Sequence, residues 1–300
     1  MKIEKQFRFQ SDQKQRIDKF LTECLQITRS KSTELIENEF VTVNGKKVKS
    51  SFSLKKDDAV SIVLDEIEKN DINPENIALD IIYEDHDFLI INKPRGMIVH
   101  PSGSIRTGTL VNALLHHTKD LSSFYGIERA GIVHRIDKDT TGLLIVTKHD
   151  KAHQYFADLF KNHQIEKYYL ALIVGSFPQE KARIMLPIEK DPKNKSVKIS
   201  SSGRFAATDL EVVERFPGHT LLLVKIFTGR THQIRIHLAH IGFPIVGDRI
   251  YGTEEPNLTG QLLHSYRLVF VKPGQFEKSV FECLIPDDFQ KYLTKLWNIP

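Results

Sequence analysis

The sequence predicts an α+β protein in two parts. The first is a small N-terminal α+β unit; the second is a larger domain on a large mixed, mainly antiparallel sheet with flanking helices. Three observations predict this. Helical periodicity and a tight hairpin signal fall together before residue 65. A polar segment, DEIEKNDINPENI over 65–77 with Pro74 inside it, reads as a connector. From residue 79 onward, short apolar and partly β-branched runs outnumber amphipathic ones. The expected boundaries are 1–70 for the small unit, 71–79 for a linker and 80–300 for the larger domain.

The elements follow in order. Ile17, Phe20, Leu21 and Leu25 share one face of a helix over 16–25. Thr28-Arg29-Ser30 offers N-cap candidates for a second helix that turns Leu35 and Ile36 inward. Val41–Val43, Asn44-Gly45 and Lys46–Val48 form a hairpin, because both turn residues must take positive φ. Val60–Leu64 is a further strand. In the larger domain, Ile81–Tyr83 and Phe88–Ile91 are strands around a polar turn, and Leu110–His117 is a helix. Ile132-Val133 and Leu143–Val146 are strands. Ala152, Tyr155, Phe156, Leu159 and Phe160 recur at helical spacing behind Asp150 as N-cap. Tyr168–Val174 and Leu221–Phe227 are again strands; spacing alone does not give their order.

Composition excludes several classes. No apolar run nears the roughly 20 residues that cross a bilayer, so no membrane partner is expected. The polar start MKIEKQFRFQ is not a secretory signal. Cys24 and Cys283 lie far apart and support neither a disulfide framework nor a cysteine metal cluster; a reducing, cytoplasmic setting is expected. Residues 11–56 hold ten basic and six acidic side chains, an excess as large as the +4 of the whole chain. An anionic partner is therefore expected there.

Three segments carry candidate chemistry. Gly131–Gly142, GIVHRIDKDTTG, is a polar loop between apolar strands, with Asp137 and Asp139 beside His134, Arg135 and Lys138. Its residues suit a catalytic loop, and equally a charged turn stabilised by its own side chains. In Lys167-Tyr168-Tyr169-Leu170-Ala171, strand alternation puts the two tyrosines on opposite faces, one for a core and one for a cleft. In Thr228–Leu238, TGRTHQIRIHL, Thr231 is a candidate cap for a helix with Ile234, Leu238 and Ile241 as its stripe. Arg235 then sits in an early turn, within reach of a carboxylate. His232, His237 and His240 raise a metal hypothesis, weakened because they lack the paired helical spacing with a glutamate that zinc hydrolases use.

Residues Arg16–Leu21, Thr28–Ser30, Leu35-Ile36 and Val41–Lys46 together resemble the RNA-binding domain named after ribosomal small-subunit protein four. That resemblance implies that Arg16, Lys19, Arg29, Lys31 and Lys46 face RNA. The three larger segments resemble the RluA-type pseudouridine synthases, the RluD-like ribosomal members especially. Asp137 matches the family's aspartate in His-Arg-Ile-Asp followed by Thr-Thr-Gly-Leu, Tyr169 its active-site tyrosine and Arg235 its third-motif basic residue. Tyr83-Glu84-Asp85, Asn92-Lys93-Pro94, Gly96-Met97, His100-Pro101, Thr109–Leu115 and Gly247-Asp248 add to the match. Two departures are small: Arg95 stands where the family often has a small residue, and Thr140-Thr141 replaces the commoner Thr-Ser.

The resemblance implies an isomerisation of uridine to pseudouridine in RNA, large-subunit ribosomal RNA in particular, by a monomer. No atom is lost and no electron transferred, so no cofactor and no metal is expected. A carboxylate such as Asp137 can attack a nucleoside or stabilise a cationic sugar. The target base must be everted from its helix, with Tyr169 as stacking surface and Arg135 placed to enter the gap. His134 and Arg230 are further expected RNA contacts. Two alternatives remain: a non-catalytic RNA-binding assembly factor on the same fold, and a metal-dependent hydrolase using the histidines.

Overall fold

The computed structural model describes residues 2–25, 29–65, 72–191 and 196–298 and divides into two compact units, Met1–Asp71 and Ile72–Pro300. In the first, β1 (Lys2–Arg8), β2 (Gln15–Arg16), α1 (Ile17–Leu25), α2 (Arg29–Glu37), β3 (Val41–Val43), β4 (Lys46–Lys47), β5 (Ser53–Leu54) and β6 (Ala59–Asp65) follow in order. The main sheet runs β1-β6-β3-β4. Asn44 and Gly45 take φ of 51° and 74°, the two positive values the hairpin demands. Ile17, Phe20, Leu21, Leu35, Ile36, Val41, Val43, Val60 and Ile62 close one apolar core. Thr28, a candidate cap, lies outside the described residues, as do the side chains of Arg29 and Lys31. β1 was not expected; its charged alternation becomes a strand because seven residues pair antiparallel with β6.

The second unit contains β7 (Ile81–Glu84), β8 (Phe88–Lys93), α3 (Leu110–His117), β9 (Thr141–Thr147), α4 (Asp150–Lys161), β10 (Glu166–Val174) and β11 (Lys181–Met185). There follow β12 (Ile188–Lys190), β13 (Val197–Ile199), β14 (Ala207–Phe216), β15 (His219–Ile226), α5 (Gln233–His240), β16 (Leu263–Val271), β17 (Lys278–Glu282) and α6 (Asp287–Trp297). A nine-stranded sheet runs β11-β14-β15-β10-β16-β9-β8-β7, with β17 on β16. Among the described residues only β16 and β9 pair in parallel; the other ladders are antiparallel, as a mixed, mainly antiparallel sheet requires.

Four expectations need correction. Residues 72–79 are no free linker: Ile72 is buried in the core of the second unit, and the Glu75 amide donates to the Asn112 carbonyl at 2.9 Å. Ile132-Val133 makes one isolated bridge, Ile132 to Val146, because the chain turns at once into the Asp137 loop. His149, and not Asp150, caps α4, its Nδ1 accepting from the Ala152 amide. Thr231 does not cap α5; His232 occupies that position in left-handed conformation, φ 52°.

Candidate active site

The Asp137 loop is held from both sides. Lys93, fully buried at the end of β8, donates from Nζ to the carbonyls of Pro94 (2.8 Å), Met97 (2.9 Å) and Lys138 (2.8 Å). Three acceptors match the three protons of an ammonium. Burial nevertheless pushes the amine down to about 7, against the pull of the Asp139 carboxylate. Arg95 donates to the Asp139 carbonyl at 2.6 Å and to the Gln261 carbonyl, and its Nε reaches Asp288 of α6 at 2.6 Å. Arg95 thus ties the loop to the C-terminal helix. Beyond the loop, Gly142 (φ 105°) passes so close to β16 that a Cβ would meet the Ser265 carbonyl at 2.3 Å. Only glycine allows that approach.

Asp137 accepts from Arg235 Nη1 at 3.1 Å, with its side chain 21% exposed. Arg235 itself is buried, and its other face is clamped: Nε and Nη2 reach Asp248 at 2.7 and 2.8 Å. Asp248 also accepts from the amides of Ile250 (2.9 Å) and Tyr251 (3.1 Å). Burial opposes both charges, yet mutual hydrogen bonding and attraction outweigh it. The guanidinium is raised above its ordinary value and the Asp248 carboxyl held below its own. One guanidinium therefore bridges two carboxylates, a buried one that fixes it and a reachable one that it fixes.

Tyr169 alternates with Tyr168 along β10 as expected. Its ring is 7% exposed, packed in the main core, and lines the same cavity as Asp137. Burial pushes its hydroxyl up to about 12; a hydrogen bond with Ser265 opposes this, and the Asp137 charge adds to it. The phenol is protonated at neutral pH. Tyr168 faces the other way, donating to Glu166 at 2.8 Å.

Asp137, Tyr169, Arg235, His134, Arg135 and Arg230 all line one cavity of about 560 Å³, room for a nucleotide. Arg135 is exposed, with no carboxylate in ion-pair range among the described residues. Arg230 donates to the Phe205 carbonyl at 3.0 Å. His134 lines the cavity as a neutral imidazole: its Nε2 accepts the Ile145 amide at 2.8 Å, and burial, with Lys167 nearby, drives it to about 3. In the first unit, Lys19 and Lys46 are exposed, while Arg16 is engaged by Asp18 at 2.9 Å.

The three histidines of the metal hypothesis do not converge. His237 bonds Thr208 (2.9 Å) and the Leu186 carbonyl (3.0 Å), and His232 bonds Tyr251 (2.9 Å). Among the described residues the close ligand grouping is His86, Asp87 and His149. His149 Nδ1 accepts the Ala152 amide at 3.2 Å, so its proton sits on Nε2, aimed at Asp87 Oδ1 at 2.9 Å. A cation there would displace that proton and break the helix cap. Sequence reasoning missed Asp248 as the clamp, Lys93 and Arg95 as loop holders, and Lys167 and His232 as cavity walls. His232 Nε2 lies 3.9 Å from Asp137. Asp248 had been visible only as part of a matching motif.

The RNA pseudouridylate synthase family model matches residues 87–240, more than half the chain and including Asp137, Tyr169 and Arg235. The chain belongs to the RNA pseudouridylate synthase family. The S4 domain model matches residues 15–60. An uncharacterized RNA pseudouridine synthase of Bacillus subtilis (strain 168) is 41% identical over 285 residues, 94% of each chain. The ribosomal large subunit pseudouridine synthase D of Yersinia pestis is 40% identical over 241 residues, 79% of this chain and 73% of that protein. The solved structure of human RNA pseudouridylate synthase domain containing 1 shares the fold, with TM-score 0.57 at 23% identity over 75% of this chain and 97% of that one. As an RNA pseudouridine synthase the protein is an isomerase and an RNA-binding enzyme, with an N-terminal RNA-binding domain. No helix among the described residues is long and apolar enough to cross a membrane.

Proposed function

We propose that this enzyme isomerises specific uridines of large-subunit ribosomal RNA, acting as a monomer in the cytoplasm, with Asp137 carrying the glycosidic exchange. The Asp137–Arg235–Asp248 bridge carries the assignment of Asp137: it presents one oriented carboxylate at the wall of a nucleotide-sized cavity. The ribosomal target is supported by the Yersinia pestis relative and by one from Nitrosomonas europaea of the same name, 35% identical over 297 residues. In the reaction the bond from C1′ to N1 breaks, the base turns, a bond from C1′ to C5 forms, the C5 proton leaves and N1 takes one up, so that the product is an isomer of the substrate. Arg235 holds Asp137 aimed into the cavity, while Tyr169 offers its ring to the everted base, worth ~1–3 kcal/mol by stacking.

Burial, with the Asp137 charge adding to it, keeps the Tyr169 hydroxyl protonated, and from the wall of the same cavity it can hydrogen-bond the base while the C5 proton moves. The Tyr169→Phe enzyme should bind RNA as the parent does but release the proton about 10²-fold more slowly, the low end for acid–base assistance. Equal tritium release by the two enzymes would confine Tyr169 to stacking.

The target is tested by mapping pseudouridines in ribosomal RNA from cells with and without the gene. The expected result is loss of discrete large-subunit sites, restored by the wild-type gene and not by the Asp137→Asn gene. An unchanged large-subunit map would remove ribosomal RNA as the substrate.

A further inference from the structure

The cavity wall holds a charge that the chemistry above does not use. Lys167 precedes Tyr169 by two positions on β10, on the same face and roughly 6.6 Å along the strand. It is 7% exposed and lines the cavity with Asp137. Among the described residues no oxygen accepts from its Nζ within hydrogen-bond distance, and no carboxylate lies in ion-pair range. Its neighbours are the Phe160 ring, 5.8 Å from Nζ to the centroid, and the neutral imidazole of His134. Burial without a counter-charge pushes the amine down to about 8. An ammonium in such surroundings is costly unless a ligand completes it.

The rest of the cavity indicates the ligand's charge. Among the described residues that line it Asp137 is the only carboxylate, and Arg235 is balanced by Asp137 and Asp248. Lys161, Lys167, Arg204, Arg230 and Arg135 remain as positive charge lining the same space. Uracil and ribose are neutral, so this excess has no partner in the nucleoside itself. A backbone phosphate supplies it.

We propose that Lys167 is the binding residue for the RNA backbone phosphate that flanks the everted uridine, fixing the nucleotide's depth over Tyr169. This rests on the pseudouridine synthase reading of the cavity. A neutral uracil carbonyl would leave the desolvated ammonium uncompensated, and the two-residue offset from the ring, roughly 6.6 Å along the strand, suits the adjoining phosphate.

The test uses full-length enzyme and unmodified large-subunit ribosomal RNA transcribed with [5-³H]uridine. RNA affinity is measured from about 50 to about 200 mM salt, with tritium release in parallel, for wild type, Lys167→Met and Lys167→Arg. The methionine variant should bind about tenfold more weakly at low salt, one charge-assisted hydrogen bond. Its slope of log affinity against log salt should be shallower by about 0.7, one single-strand phosphate. KM should rise with kcat nearly kept, and Lys167→Arg should restore the slope. Since an uncompensated charge is removed, the melting temperature of Lys167→Met should equal or exceed that of wild type. An unchanged salt slope in Lys167→Met overturns the assignment whatever happens to kcat, and so does failure of Lys167→Arg to restore it. No tritium release by wild type would fail the substrate reading instead, while the binding arm still reports on Lys167.

Discussion

The Asp137→Asn enzyme should release tritium from [5-³H]uridine-labelled RNA on the order of 10⁴-fold more slowly than wild type, or not at all, and bind the same RNA with nearly unchanged affinity. The size follows from chemistry. An amide neither attacks the nucleoside nor balances a cationic sugar, and neither Asp139 nor Asp248 can substitute. Asp139 lies in the same loop, its side chain packed against Gly260 and its carbonyl held by Arg95. Asp248 is buried on the far side of Arg235. Survival of the fold follows from the same geometry: Arg235 keeps its two bonds to Asp248, so no buried charge is stranded. Phosphate contacts dominate RNA affinity and do not pass through Asp137. Turnover within tenfold of wild type would refute the assignment; loss of RNA binding together with turnover would show that Asp137 organises the cavity.

Local chemistry made part of this molecule legible in sequence. Asn44-Gly45 announces its hairpin because few other residues accept two positive φ values. Leu110–His117 announces its helix because Thr109 and Asn112 form a reciprocal capping box. Asp137, Tyr169 and Arg235 stood out by motif, and all three line one cavity. What stayed hidden depends on approach between distant segments. Asp248 follows Arg235 by thirteen residues, and nothing in that spacing shows two carboxylates closing on one guanidinium. His134 looks like a cation until burial and the Ile145 amide fix it as a neutral acceptor. Lys167 also stayed hidden: it shares the face of Tyr169 on β10, but its lack of a partner shows only when the walls around it are present.

The clamp behind Arg235 makes Asp248 the position where stability and turnover should fall together. Its carboxylate accepts four hydrogen bonds, two from Arg235 and one each from the amides of Ile250 and Tyr251. Asp248→Asn removes the charge that balances a buried guanidinium, and breaking such a pair costs about 3–5 kcal/mol. At roughly 2–4 °C per kcal/mol for a unit of this size, the melting temperature should drop by about 10 °C. Arg235, left with Asp137 as its one anionic partner, should swing toward it and cover the carboxylate, so kcat falls while the RNA salt slope stays. The pH dependence has a definite sign. The folded Asp248 carboxyl titrates below its unfolded value because Arg235 outweighs burial, so the unfolded chain takes up the proton more readily. Its contribution is therefore complete above the unfolded value near 3.9 and drains away as the pH falls below it. Thermal melts from neutral pH down through that range should show a steep acid-side loss in wild type and a shallower one in Asp248→Asn. Parallel curves for the two proteins, or a variant as stable as wild type at neutral pH, would mean that Arg235 is held by its packing against Tyr251 and not by the Asp248 charge.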